Sequence, residues 1–122
     1  MTSARIVLPW PAQPLWQNRR VHWAVRHSAT SKARTAAFYA AKQSGLARQP
    51  AGTIPKLTWA FYPPDNRRRD MSNAIAAVKS HQDGIADALG IDDSHFLNHY
   101  PVRFSGVVDG GQVVVVVTLE AA

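Results

Sequence analysis

Five consecutive valines, Val113 to Val117, stand inside the segment Gln112 to Leu119. A run without polar alternation suits a strand that is covered on both faces. Such a strand belongs inside a sheet, and a covered sheet needs helices packed on it. The rest of the chain supplies both. Ala4 to Leu8 is an aliphatic strand halted by Pro9 and Pro11. Lys56 to Tyr62 alternates, with Leu57, Trp59 and Phe61 on one face, and reads as a second strand whose aromatic residues are core.

Pro9 to His27 reads as irregular, and Ser28, Thr30 and Ser31 offer caps for an alanine-rich helix running to about Ser44, stopped by Gly45. A second helix is expected from Ser72 or Asn73 to Leu89, with Gly90 as its stop. Phe96 to Phe104 and Gln112 to Leu119 are expected as strands joined by a hairpin at Asp109-Gly110-Gly111, with Pro101 weakening the former. The order β-α-β-α-β-β predicts an α/β (α+β) fold with two main helices on one mixed sheet. The 122 residues are expected to form a single domain, 1–122.

The net charge of +6 and a pI near 10.3 favour an anionic partner, nucleic acid before a membrane surface. No apolar run is long enough to span a bilayer, and no export signal opens the chain. The absence of cysteine excludes disulfides, thiol catalysis and cysteine-held zinc. A cytoplasmic location is the expectation. The histidines show no zinc-ligand spacing, and no glycine-rich phosphate loop or serine-hydrolase elbow is present.

The basic and acidic residues are not scattered evenly. Arg67, Arg68 and Arg69 abut Asp70, Ser72 and Asn73, and Lys79, Asp83, Asp92 and Asp93 follow. Arginines attract a polyanion, and clustered carboxylates hold a hard cation such as Mg²⁺. On the second helix Ile75, Val78, Ile85 and Leu89 form an apolar stripe, and Ser72, Lys79 and Asp83 fall together about a quarter-turn away. Phosphodiester cleavage needs an aimed hydroxide and stabilisation of the extra charge, which a carboxylate-held Mg²⁺ and a nearby lysine provide. Asp70, Asp83, Asp92 and Asp93 are thus candidate metal-site residues and Lys79 a charge stabiliser. The plainer reading stays open at this point: Asp70 as a helix cap, Lys79 and Asp83 as a solvated pair, Asp92-Asp93 as a polar turn. Asp92-Asp93 follows the far end of the helix from Asp70, so the two meet only if the helix is broken or short.

These residues resemble the RusA family of Holliday junction resolvases of phages and prophages. The family pattern is an arginine-rich R-R-D-x-D-N, then a lysine, D-[AG]-L and a terminal D-D. This chain has Arg67-Arg68-Arg69-Asp70-Met71-Ser72-Asn73, then Lys79, Asp83-Gly84-Ile85 and Asp92-Asp93-Ser94. Leu8-Pro9-Trp10-Pro11 and Gln17-Asn18-Arg19-Arg20-Val21-His22-Trp23 also look like the family's N-terminal region. The resemblance implies a bacterial-cell protein, phage- or prophage-encoded, acting as a homodimer on four-way or branched DNA in recombination and repair. It implies Mg²⁺ as cofactor and no organic cofactor. It casts Asp70, Lys79 and Asp93 as catalytic, and Asp70, Asp92 and Asp93 as metal-binding, with Asp83 and Ser72 as further positions of the metal site. Ser72 is the departure, because the family has an aspartate there and a hydroxyl is the poorer Mg²⁺ ligand. A junction-binding protein without cleavage is therefore the alternative, and a general basic nucleic-acid module a third reading.

Arg67, Arg68, Arg69, Arg19, Arg20, Arg26 and Asn73 are the candidate DNA contacts. Trp10, Trp16 and Trp23, set among arginines, suit either stacking on exposed bases or cover for the sheet or a dimer contact. His95, beside Asp92-Asp93, reads as a surface residue within reach of the site.

Overall fold

In a computed structural model, residues 2–16 and 20–120 are described. The strands are β1 (Thr2–Pro9), β2 (Ile54–Tyr62), β3 (Leu97–His99) and β4 (Gln112–Glu120), and the helices are α1 (Trp23–Gln43), α2 (Met71–Ala77) and α3 (Lys79–Leu89). Gln13–Leu15 and Asp93–His95 form short 3-10 turns. This is the expected α+β class, with a four-stranded mixed sheet in the order β1-β4-β2-β3.

The valine strand β4 lies between β1 and β2 and is antiparallel to both. Its register builds three apolar rows across the sheet: Ala4–Val117–Leu57, Ile6–Val115–Trp59 and Leu8–Val113–Phe61. All nine are buried, and they form one cluster with α1 and α3 residues including Ala37, Ala41, Ile85 and Leu89. The other face is only partly covered: Val114 is buried and Val116 half-buried, but Arg5, Val7, Lys56 and Thr58 are exposed. A central strand shielded by its neighbours therefore explains the valine run better than two helical layers.

Helix α1 begins earlier than the hydroxyl residues suggest. His22 is the cap, its Nδ1 accepting from Ala24 N at 3.1 Å, and Ser28, Thr30 and Ser31 lie inside the helix. An imidazole nitrogen has taken the acceptor role that sequence reasoning reserves for serine or threonine. The C-terminal stop is the expected one, with Gly45 at φ +96° and Leu46 N bonded to Ala41 O at 3.1 Å.

The buried face of α1 is a ladder of alanines, Ala33, Ala37 and Ala41, and α3 packs against it. The two backbones approach so closely at Gly84 that an added Cβ would lie 2.1 Å from the Arg34 carbonyl oxygen. Arg34 also clamps Asp87 of α3 with bonds of 2.6 and 2.8 Å.

The single helix expected over 72–89 is two. Val78 ends α2 and starts α3 with φ −97° and ψ 7°, and its N–H reaches Ile75 O and Ala76 O. The buried positions Ala74, Ala77, Val78, His81, Gln82 and Ile85 keep helical spacing through the junction, so periodicity carries no sign of the break. The hairpin is also absent. β3 pairs with β2 in parallel, on the side of β2 away from β4, and only Leu97–His99 of the expected 96–104 strand forms. Beyond β3 the chain crosses the end of β2 through single bonds, Ser105 N to Phe61 O and Val108 N to Pro63 O, both 2.9 Å. Gly110 and Gly111, at φ +75° and +71°, lead into β4 instead of closing a turn between neighbours.

Candidate functional site

Lys79 is the first residue of α3, and Asp83 stands one turn later on the same face, with Lys79 Nζ donating to Asp83 Oδ1 at 2.7 Å. After Leu89 the left-handed Gly90 (φ +68°) turns the chain back, and Asp92 caps the 3-10 turn that carries Asp93. Asp93 Oδ2 accepts from Lys79 Nζ and, at 3.2 Å, from Gln82 Nε2. Lys79 thus lies between two carboxylates. Partial burial by itself pushes its ammonium pKa down, but the bonds and charges of Asp83 and Asp93 outweigh that and leave it raised.

Behind Asp93 the cluster is wired to the core. Gln82 Oε1 accepts from Asn98 Nδ2 at 3.0 Å, and Asn98 Oδ1 accepts from Trp59 Nε1 at 2.9 Å. The Tyr100 hydroxyl lies 3.5 Å from Gln82 Oε1, and its ring stacks on Trp59 with centroids 6.2 Å apart. Sequence reasoning missed Gln82 and Asn98. One signal was available: Val78, Gln82, Ile85 and Leu89 share the apolar stripe, so a polar residue interrupts a core-facing series.

Asp70 does not join this cluster. It caps α2, its Oδ1 accepting from Ser72 N at 2.8 Å, while Lys79 lies past the other end of α2. Asp92 turns its carboxylate onto Ser94 N at 2.9 Å, a bond that holds its pKa low. It lines a different groove, with His95 and Ile91. Asp70, Asp83, Asp92 and Asp93 are therefore not one ligand set, and among the described residues no group of three or more His, Asp or Glu is arranged to hold a metal. The reason is geometric, since the chain folds Asp93 back onto the first half of α3 but not past α2.

The remaining pair still has the chemistry for a hard cation. Asp83 and Asp93 present carboxylate oxygens to one ammonium, and Mg²⁺ commonly takes one or two carboxylates and completes its shell with water and phosphate oxygens.

The arginines divide by role. Arg69 has a side chain only 15% exposed, bonds Asp65 at 2.8 Å and lies 5.4 Å from the Trp10 ring centroid, which makes it a strut. Arg67 pairs with Asp65 at 3.4 Å. The backbone N–H of Arg67 and the Arg69 guanidinium together hold the Asp65 carboxyl below its usual pKa. Arg68 is exposed, makes no ion pair among the described residues, and shares a groove of about 400 Å³ with Trp16, Arg69, Asp70 and Asn73.

Trp10 and Trp16 pack on the core with ring centroids 5.5 Å apart, whereas Trp23 is 75% exposed. Arg20 is exposed just before α1, and Arg26 is half-buried in its first turns. Arg19 lies outside the described residues, as do Gln17 and Asn18 of the same motif. His95 is exposed, as expected. Of the other histidines, His81 is buried with Nδ1 unpartnered, and burial lowers its pKa to about 4.

No helix among the described residues is long and apolar enough to cross a membrane. No protein-family profile matches the chain. An uncharacterized protein of Xylella fastidiosa (strain Temecula1) is 42% identical over 116 residues, spanning 93% of this chain and 74% of its own length.

Proposed function

We propose that this chain, which belongs to one family with that Xylella fastidiosa protein, is a Mg²⁺-dependent endodeoxyribonuclease selective for branched DNA. Its substrate is the four-way junction, which it resolves by paired nicks as a homodimer, in the manner of the RusA resolvases it resembles. A two-fold dimer matches the symmetry of a junction, one protomer to each nicked strand. The observation that carries this reading is Lys79 held between Asp83 and Asp93 on the exposed side of α3.

Arg68 contacts a phosphate and leaves sequence unread, so binding depends on backbone path and charge. Lys79 donates to the phosphate oxygen on which negative charge develops. Asp83 and Asp93 would hold the metal, which when bound supplies an activated water and offsets charge on the phosphorane. Asp70 and Asn73 border the strand beside Arg68.

The test is a labelled four-way junction incubated with and without Mg²⁺. Symmetric nicks that require Mg²⁺ are expected, and binding without nicks at every Mg²⁺ concentration would sink the reading. Ser72→Asp adds a carboxylate two positions from Asp70. A lower Mg²⁺ requirement in that variant places residue 72 at the metal, and an unchanged requirement places it elsewhere.

One observation favours a second reading, a junction-binding protein that does not cut. Asp70 is engaged as a cap at the far end of α2 from Lys79, and Ser72 brings no second carboxylate. Tight, salt-sensitive junction binding with intact strands is the outcome that selects it.

A further inference from the structure

The hydrogen-bond chain behind Asp93 has a direction. A primary amide can be turned over, oxygen for nitrogen, so two amides in series have no preferred polarity of their own. An indole N–H donates only. With Trp59 Nε1 bonded to Asn98 at 2.9 Å, Asn98 must offer Oδ1 there and Nδ2 to Gln82. Gln82 Oε1 is thereby taken, and its Nε2 faces Asp93 Oδ2 at 3.2 Å.

We infer that Trp59, Asn98 and Gln82 are positioning residues for Asp93: the buried indole sets a one-way chain that ends in an N–H aimed at the Asp93 carboxylate. Asp93 needs this support, because it belongs to a 3-10 turn of only three residues, Asp93–His95, which restrains its side chain little. With Gln82 and Lys79 both donating to Oδ2, the carboxylate is held against α3 in one orientation. Oriented carboxylates bind a metal without first losing rotamer freedom, and residues behind a ligand commonly contribute 10- to 100-fold in affinity, on the order of magnitude seen generally.

The chain is also internally complete. Gln82 is 7% exposed and Trp59 1%, yet the one buried side-chain polar atom left without a partner among the described residues is His81 Nδ1, not an atom of Gln82, Asn98 or Trp59. A polar chain satisfied at every link is rigid, and one broken link leaves a buried group unpaired. The effect on catalysis rests on the nuclease reading, whereas the orientation of Asp93 does not.

The test therefore has two arms. In the full chain without metal or DNA, NMR follows the Asp93 carboxyl carbon and the Gln82 side-chain amide. Trp59→Phe keeps an aromatic ring, smaller than the indole, and removes the donor. The Gln82 amide is expected to exchange faster and the Asp93 resonance to shift, and neither moving would overturn the inference. If Trp59→Phe does not fold, the near-isosteric Gln82→Leu asks the same question of Asp93 alone.

In the second arm, Gln82→Leu is expected to raise the Mg²⁺ needed for half-maximal nicking about tenfold. Metal-free junction binding should stay unchanged. Gln82→Glu, which sets a carboxylate against Asp93, should do worse than leucine. An unchanged Mg²⁺ requirement in both variants would reject a positioning role for Gln82. A wild type that never nicks removes the nuclease reading and leaves the NMR arm decisive. A wild type that nicks while Trp59→Phe leaves Asp93 unmoved rejects the positioning and spares the nuclease.

Discussion

Lys79 and Asp93 stand fourteen positions apart in the chain and share a direct hydrogen bond, ammonium to Oδ2. That bond exists because Gly90 reverses the chain after α3 and the 3-10 turn at Asp93–His95 returns along it. The same ammonium is 2.7 Å from Asp83, so one point on the surface is built to stabilise positive charge. Asp70, adjacent to the arginines in sequence, is not at that point, which separates two charged groups that the sequence runs together.

Asp70→Asn isolates charge from structure. Asparagine caps a helix as well as aspartate, so stability should change by less than about 0.5 kcal/mol. Because Asp70 caps α2 away from Lys79, Asp83 and Asp93, nicking should persist along with junction binding. Loss of nicking in this variant would put Asp70 at the metal and overturn the division between cap and cluster.

Arg68 and Arg69 should fail in different ways. Arg68→Ala is expected to weaken junction binding and to reduce the slope of log affinity against log salt by about 1, with no effect on unfolding. Arg69→Ala removes the bond to Asp65 and the contact with Trp10, and should lower stability by roughly 1–2 kcal/mol in urea. Identical behaviour of the two variants would contradict the division of roles.

Gly84→Ala tests the contact between α1 and α3. The new methyl would sit 2.1 Å from Arg34 O and 2.9 Å from Phe38 N, both backbone atoms that cannot swing aside. A loss of about 3 kcal/mol is expected in chemical denaturation. A loss under about 1 kcal/mol would mean that the helices separate easily.

His81 sets an acid limit on stability. Burial lowers its pKa from the ordinary 6.5 to about 4. Below pH 6.5 the unfolded chain takes up this proton and the folded chain does not, so stability falls as pH drops from 6.5 towards 4. The loss should reach roughly 2 kcal/mol at pH 5 and level off near 3 below pH 4. Urea melts at pH 7 and pH 5 measure it, and His81→Leu should flatten that part of the profile. An unchanged slope in the variant would assign the acid sensitivity to other groups.

Local chemistry was enough for some elements. The alternation of Leu57, Trp59 and Phe61 placed one strand face in the core, and the valine run placed β4 inside the sheet, because side-chain period and burial are read directly from residue order. Gly45 and Gly90 marked helix ends for the same reason, since only glycine takes a left-handed conformation cheaply. The pairing of Lys79 with Asp83 follows from a spacing of four on a helix.

The rest depended on long-range geometry. Asp109-Gly110-Gly111 has the composition of a hairpin, but strand order is a global choice, and the sheet seats β3 and β4 on opposite sides of β2. Val78 breaks the helix without breaking its apolar spacing, so no local signal marks it. By itself the sequence determined the α+β class, most of the core and which charged residues lie close in the chain. Only the tertiary structure decided which of them meet. It left Asp70 with Arg68 and brought Asp93 to Lys79 and Gln82, because the path of the chain after Gly90 is fixed by packing and not by the residues along it.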